Sequence, residues 1–264
     1  VSRGLGDVYK RQALLPAVVL VVYICRKDRT DKEPPALLAK LLGFGALSCL
    51  PAIVVELILS TIIERLNVRN VYLGYFLEAF VVAGLTEETC KFLFLRTTWR
   101  NPAFDYQFDA IVYAVMVALG FAAFENVKYV YSYGFATGIV RAVTAVPGHA
   151  IFGVFMGYFY GYAKLSDYWG REDDCRAYLA LSVVVPVLMH GCYDFLAFAQ
   201  ESDSRFTLLF YAYLIALYVF GILRVNRSAR ADRRVSRETV FDYFRRMQYP
   251  VPPQYRDRND DFWR

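Results

Sequence analysis

Charge in this 264-residue chain is clumped, and apolar runs long enough to cross a bilayer separate the clumps. A run of about 20 apolar residues crosses roughly 30 Å of hydrocarbon as a helix. Seven such runs can be marked, at about 13–25, 36–63, 71–95, 108–131, 139–163, 177–199 and 206–223. A soluble domain would spread its charge along every element. Here 57% of residues are hydrophobic and only 21% charged, which leaves little room for one. The expected fold is all-α: a polytopic transmembrane bundle of about seven spans over 13–224, with a basic cytoplasmic tail over 225–264. Residues 1–12 (VSRGLGDVYKRQ) are basic and polar, unlike the apolar run that begins at Ala13. They read as a non-native or truncated start and are not counted as part of the fold.

Lys and Arg in short loops set orientation. Arg26, Lys27, Arg29 and Lys32, then Arg96 and Arg100, then Lys164, Arg171 and Arg176, and finally the Arg-rich tail fall on one side of a seven-span bundle. The other side carries Arg65, Arg69 and Arg205, and the basic residues of 1–12 conflict with this placement, a second reason to set that segment aside. The loop bias places the C-terminus in the cytoplasm. The net charge of +5 sits in loops and tail, where the lipid bilayer is the partner and nucleic acid is not. Five cysteines, odd in number and without a CxxC pair, give no disulfide framework or thiolate metal site. Past residue 224, basic residues, aromatics and then prolines read as an amphipathic helix and a disordered end.

Charges inside the apolar runs are the functional signal, because an ionised side chain at mid-membrane costs at least about 2.5–3.5 kcal/mol and persists when paired. Glu87 and Glu88 stand one turn before Lys91, the favourable order for a helical ion pair. Adjacent residues point about 100° apart, so one glutamate can hold Lys91 while the other faces a cavity. The fourth run carries Asp109 and, further on, Glu125, Asn126 and Tyr129. The fifth holds Arg141 and His149, the latter in a stripe with Gly153, Gly157 and Gly161 that calls for a closely packed neighbour. In the sixth, His190 and Asp194 are one turn apart, the spacing at which a carboxylate orients an imidazole. Polar glue between helices is the bland account of each element, but two mid-helix histidines beside a glutamate pair favour a site. At about 1.5 Å per residue Glu88 lies roughly 10–12 Å deep and the histidines about 20 Å, so contact requires tilted helices or shifted boundaries.

Hydrolysis inside a membrane needs water, a base and a donor for the developing oxyanion. A glutamate in a dehydrated cavity becomes a better base near neutral pH, and histidine can stabilise the oxyanion or protonate the leaving amine. No GxSxG occurs, and no cysteine stands in a His-activated setting. Alternatively, His149, His190 and Glu88 could hold zinc, although no HExxH is present. Two rival classes use the same residues. A proton- or ion-coupled transporter would show broken helices in matched halves, and a non-catalytic scaffold would tolerate Glu→Gln.

The ordered set Asp28-Arg-Thr-Asp-Lys-Glu33-Pro34, Glu87-Glu88-x-x-Lys91, Asp109…Tyr113, Phe124-Glu125-Asn126-x-x-Tyr129, Arg141…His149 and His190-x-x-x-Asp194 resembles the PrsW family of intramembrane proteases. That family is related to the CAAX-protease and bacteriocin-processing group. The resemblance covers about 13–200. It implies that Glu87 and Glu88 are essential, with His149, His190 and Asp194 in the same pocket. Lys91, Asp109, Glu125, Asn126, Tyr129 and Arg141 would form the surrounding polar shell. It also implies cleavage of membrane-anchored regulatory proteins, such as anti-sigma factors, in a bacterial cytoplasmic membrane. Members are often labelled metalloproteases, while the prenyl-protein relatives resemble glutamate-activated-water enzymes. The expectation here is the metal-free chemistry without a cofactor, and zinc is the alternative.

Overall fold

The computed structural model describes residues 2–235, and all regular structure there is helical. In chain order the helices are α1 (Ser2–Lys27), α2 (Pro35–Arg65), α3 (Val71–Phe76) and a π-helical segment (Leu77–Leu85). Then come α4 (Thr86–Leu95), a 3₁₀ turn (Arg96–Thr98), α5 (Asp109–Tyr133), α6 (Phe135–Val143), α7 (Ala145–Tyr168), α8 (Glu172–Ala199) and α9 (Arg205–Arg230).

The starts obey local rules. Pro34 and Pro35 open α2, where the missing N–H is harmless and φ is pre-set. The Asn70 side chain accepts from the Leu73 N–H and caps α3.

Among the described residues, five segments are long and apolar enough to cross a membrane: Pro35–Arg65, Asp109–Tyr133, Phe135–Tyr168, Glu172–Ala199 and Arg205–Arg230. The first predicted run extends into the longer α1. The third is a rod of three pieces over 71–95, because a π-helical segment interrupts its α-helical winding.

α5 is the hub. About 78% of its apolar window is buried, against 17% for α2 and 22% for α9, so α2 and α9 turn most of their surface outward. Leu50, Val54 and Leu57 on α2, and Leu208, Ile215 and Val219 on α9, form that outward apolar surface, as expected where lipid replaces water. α7 packs against α5 through the predicted glycine stripe. A Cβ at Gly157 would lie 2.4 Å from the Ala110 carbonyl oxygen, so only glycine permits this approach.

The segment after α9 turns back. Gln107 N–H donates to the Arg233 carbonyl at 2.8 Å, and Phe108 N–H donates to the Asp232 carboxylate at 2.9 Å. The expectation for the tail from 236 onward lies outside the described residues. All five cysteines are free thiols.

Candidate active site

Four helical elements deliver the site. α4 supplies Glu87, Glu88 and Lys91, α5 supplies Glu125, α7 supplies His149, and α8 supplies His190 and Asp194. Glu88 and Lys91 are 0% and 1% exposed, a depth at which each charge requires a partner. Lys91 Nζ has three: it donates to Glu87 Oε2 at 3.1 Å, to Glu88 Oε1 at 2.7 Å and to His149 Nδ1 at 3.0 Å. The Phe121 ring lies 4.0 Å from the same ammonium.

These contacts fix the proton inventory of both imidazoles. His149 Nδ1 receives a hydrogen bond from Lys91, so its proton sits on Nε2, which donates to Glu125 Oε2 at 3.0 Å. His149 is therefore the neutral Nε2–H form. His190 differs. Its Nδ1 lies 2.9 Å from Glu88 Oε1 and its Nε2 lies 3.1 Å from Asp194 Oδ2, so both nitrogens donate to carboxylates. Phe152 stacks on His190 with centroids 5.0 Å apart and holds the ring plane. Arg141 closes the outer edge: it pairs with Glu125 at 2.6 Å, and its guanidinium lies 3.7 Å over the Tyr129 ring.

The π-helical segment places the glutamates. Such winding is rare and clusters at functional sites. Here it runs directly into Thr86 and presses on α8. A Cβ on Gly191 would meet the Phe80 ring at 2.3 Å, and one on Gly84 would sit 3.1 Å from the Val187 carbonyl oxygen. That contact brings the residue next to Gly191, His190, within a hydrogen bond of Glu88. The depth mismatch seen in the sequence comes instead from span ends that do not line up. Lys164 Nζ donates to the Trp99 carbonyl, so the end of the α4 rod lies beside Lys164, and α7 projects beyond it.

Glu87, Glu88, Lys91, Glu125, Tyr129, Arg141, His149, His190 and Asp194 are thus gathered together, and Asn126 is fully buried beside Glu125. Asp109 is not with them. It lies at the opposite end of α5, about 24 Å from Glu125 along the helix. There its carboxylate accepts from the Tyr106 N–H at 2.6 Å, and it clusters with Asp28 and Glu33. Tyr113 donates to Glu33 at 2.5 Å in that second cluster. Burial, with the Asp232 carboxylate nearby, pushes Asp28 up to about 6. Burial likewise pushes Glu33 up to about 7, against the Tyr113 hydrogen bond. Sequence reasoning missed Phe121 and Phe152, although each stands one helical turn from a site residue, Glu125 and His149 respectively.

Glu87, Glu88, His149 and His190 each offer a ligand atom, all within 4.8 Å of one another. Two imidazoles and two carboxylates suit zinc in type. Glu88 Oε2, buried and without a hydrogen-bond partner, adds a free lone pair. The donor set therefore fits a metal in chemistry, while Lys91 already holds lone pairs of Glu87, Glu88 and His149.

The family described as PrsW family intramembrane metalloprotease matches residues 33–222. Protease PrsW of Oceanobacillus iheyensis is 33% identical over 216 residues, covering 81% of this chain and 93% of that protein. Protease PrsW of Bacillus subtilis is 32% identical over 81% of this chain and 93% of its own length. That of Clostridioides difficile is 31% identical over 84% and 92%. No solved structure matches the chain.

Proposed function

This chain belongs to the PrsW family of membrane proteases, and on that premise we propose that Glu87 activates a water molecule to hydrolyse a peptide bond within the bilayer. One observation carries the choice of base. Glu87 and Glu125 line a cavity of about 20 Å³, room for one water, whereas Glu88 Oε1 is engaged by both Lys91 and His190.

In this mechanism the Glu87 carboxylate takes a proton from water as its oxygen attacks the scissile carbonyl carbon. His190 carries a proton on each nitrogen, and so it donates to the developing oxyanion and then to the leaving amine. Asp194 holds the ring and balances its charge. Glu88 and Lys91 position the acid and the base against each other. His149 acts through Glu125, whose carboxylate walls the cavity.

The four-donor cluster favours a second reading, in which His149, His190 and Glu88 hold zinc. The metal would polarise the carbonyl and lower the pKa of a bound water.

The substrate class is a membrane-anchored regulatory protein of the anti-sigma type, cut in a bacterial cytoplasmic membrane. In this reading α1 and the 71–95 rod join the five long apolar segments as further spans, and the basic loops favour a cytoplasmic C-terminus.

The test uses purified protein in proteoliposomes with a single-span fluorescent substrate. Cleavage should survive a chelator and vanish in Glu87→Gln with helicity intact. One zinc per chain, with activity lost to the chelator, would replace this chemistry by the zinc reading. Wild-type cleavage by Glu87→Gln would end the assignment of Glu87.

A further inference from the structure

A second cavity lies away from the catalytic cluster, at the basic end of the bundle between α5, α7 and α9. It encloses about 120 Å³. Arg224, Arg227 and Ser228 reach it from one face of α9, at the i, i+3, i+4 spacing that aligns side chains on a helix. Arg233 closes it from the segment that turns back after α9, and Tyr158 and Tyr162 wall it from α7. The Arg224 guanidinium stands 4.1 Å over the Tyr158 ring, which fixes its direction.

The charge of this cavity is unbalanced. Its lining contains no acidic residue, and among the described residues none of Arg224, Arg227 and Arg233 takes part in an ion pair. The nearby carboxylates are engaged elsewhere: Asp232 accepts from the Phe108 N–H, and Asp105 pairs with Arg234. Three forked donors converging with a hydroxyl are the arrangement that recognises phosphate oxygens.

We propose that this cavity binds the phosphate group of an anionic lipid headgroup. Phosphate recognition alone would also admit the free ion, and two features separate the sources. The floor is apolar, made by Phe108 and Ile111, both about 1% exposed, and suits a glycerol backbone better than a hydrated ion. Next to Arg224 on α9, Ile222 and Leu223 are exposed on the outward apolar surface, so acyl chains can leave the cavity directly into lipid. Tyrosine beside arginine at the end of a span is also the side-chain mixture of the headgroup region. The lipid would bridge α7 and α9 with the returning segment that carries Arg233.

The test is delipidated full-length protein in neutral detergent, studied by native mass spectrometry and thermal unfolding. Short-chain phosphatidylglycerol, phosphatidylcholine with the same chains, and inorganic phosphate are the three probes. Phosphatidylglycerol should bind one per chain and raise the unfolding temperature, phosphatidylcholine should not, and phosphate should act only weakly. Arg224→Gln/Arg227→Gln should weaken phosphatidylglycerol binding by roughly 30-fold. Equal binding of the two lipids by the wild type overturns the proposal without recourse to a variant. Unchanged binding in the double variant overturns the location. Phosphate protecting as well as phosphatidylglycerol would assign the cavity to the free ion and reject the lipid.

Discussion

Lys91 on α4 donates to Nδ1 of His149 on α7 across 3.0 Å, while the same ammonium holds Glu88 at 2.7 Å. One buried cation therefore sets the tautomer of one histidine and the position of the glutamate that meets the other.

Replacing Lys91 by Met leaves Glu87 and Glu88 buried without their cation. Removing one member of a buried pair costs about 3–5 kcal/mol. Lys91→Met should lose stability of that order in detergent melts and lose cleavage. Metal analysis of the same variant is informative, because the lone pairs freed on Glu87, Glu88 and His149 become available to zinc. A variant as stable as the wild type would contradict the placement of Lys91 among the carboxylates.

Asp194→Asn keeps the shape but removes the carboxylate that accepts from His190 Nε2 at 3.1 Å. Losing the carboxylate that orients a catalytic imidazole costs on the order of 10²–10⁴-fold. The turnover of the single-span substrate should fall by that factor while the melting temperature barely moves. Full turnover would show that Glu88 alone positions the ring.

Contacts within one helix are legible in the sequence, and contacts between helices are not. His190 with Asp194, and Lys91 with the two glutamates, come from helical spacing, and the glycine stripe of α7 signals its packed neighbour. The pairs His149–Glu125 and Arg141–Glu125 depend on how three helices tilt, which no spacing encodes. The π-helical winding of Leu77–Leu85 has no mark either, because LEAFVVAGL is an ordinary apolar run. Asp109 shares a helix with Glu125, which is why the sequence groups it with the site. It belongs instead to the far end of α5, where the loop before α2 folds over it.

That second cluster gives a pH prediction. The carboxyls of Asp28 and Glu33 are raised to about 6 and about 7 in the folded protein, so between about pH 4 and pH 7 the folded state holds more protons than the unfolded one. Their contribution is complete below pH 4 and is lost as pH rises through 7. Glu33→Gln cannot ionise, yet it still accepts from Tyr113. The variant should gain stability relative to wild type as pH is raised from 5 to 8, read by detergent melts across that range. Parallel pH profiles for the two proteins would refute the burial of that carboxylate.

The crossing of the π-helical segment with α8 supplies the last prediction. Gly191 has no room for a methyl group, since its Cβ would lie 2.3–2.6 Å from three atoms of the Phe80 ring. Overpacking of this kind costs about 1–3 kcal/mol. The larger effect should be on catalysis: separating α8 from the segment stretches the 2.9 Å contact of His190 with Glu88, and a misplacement of about 1 Å can cost 10²-fold. Gly191→Ala should therefore lose far more activity than stability. Shrinking the obstacle in Gly191→Ala/Phe80→Leu should restore part of the rate, because the two helices can close again. If the double variant stays as slow as the single one, the crossing does not set the distance between acid and glutamate.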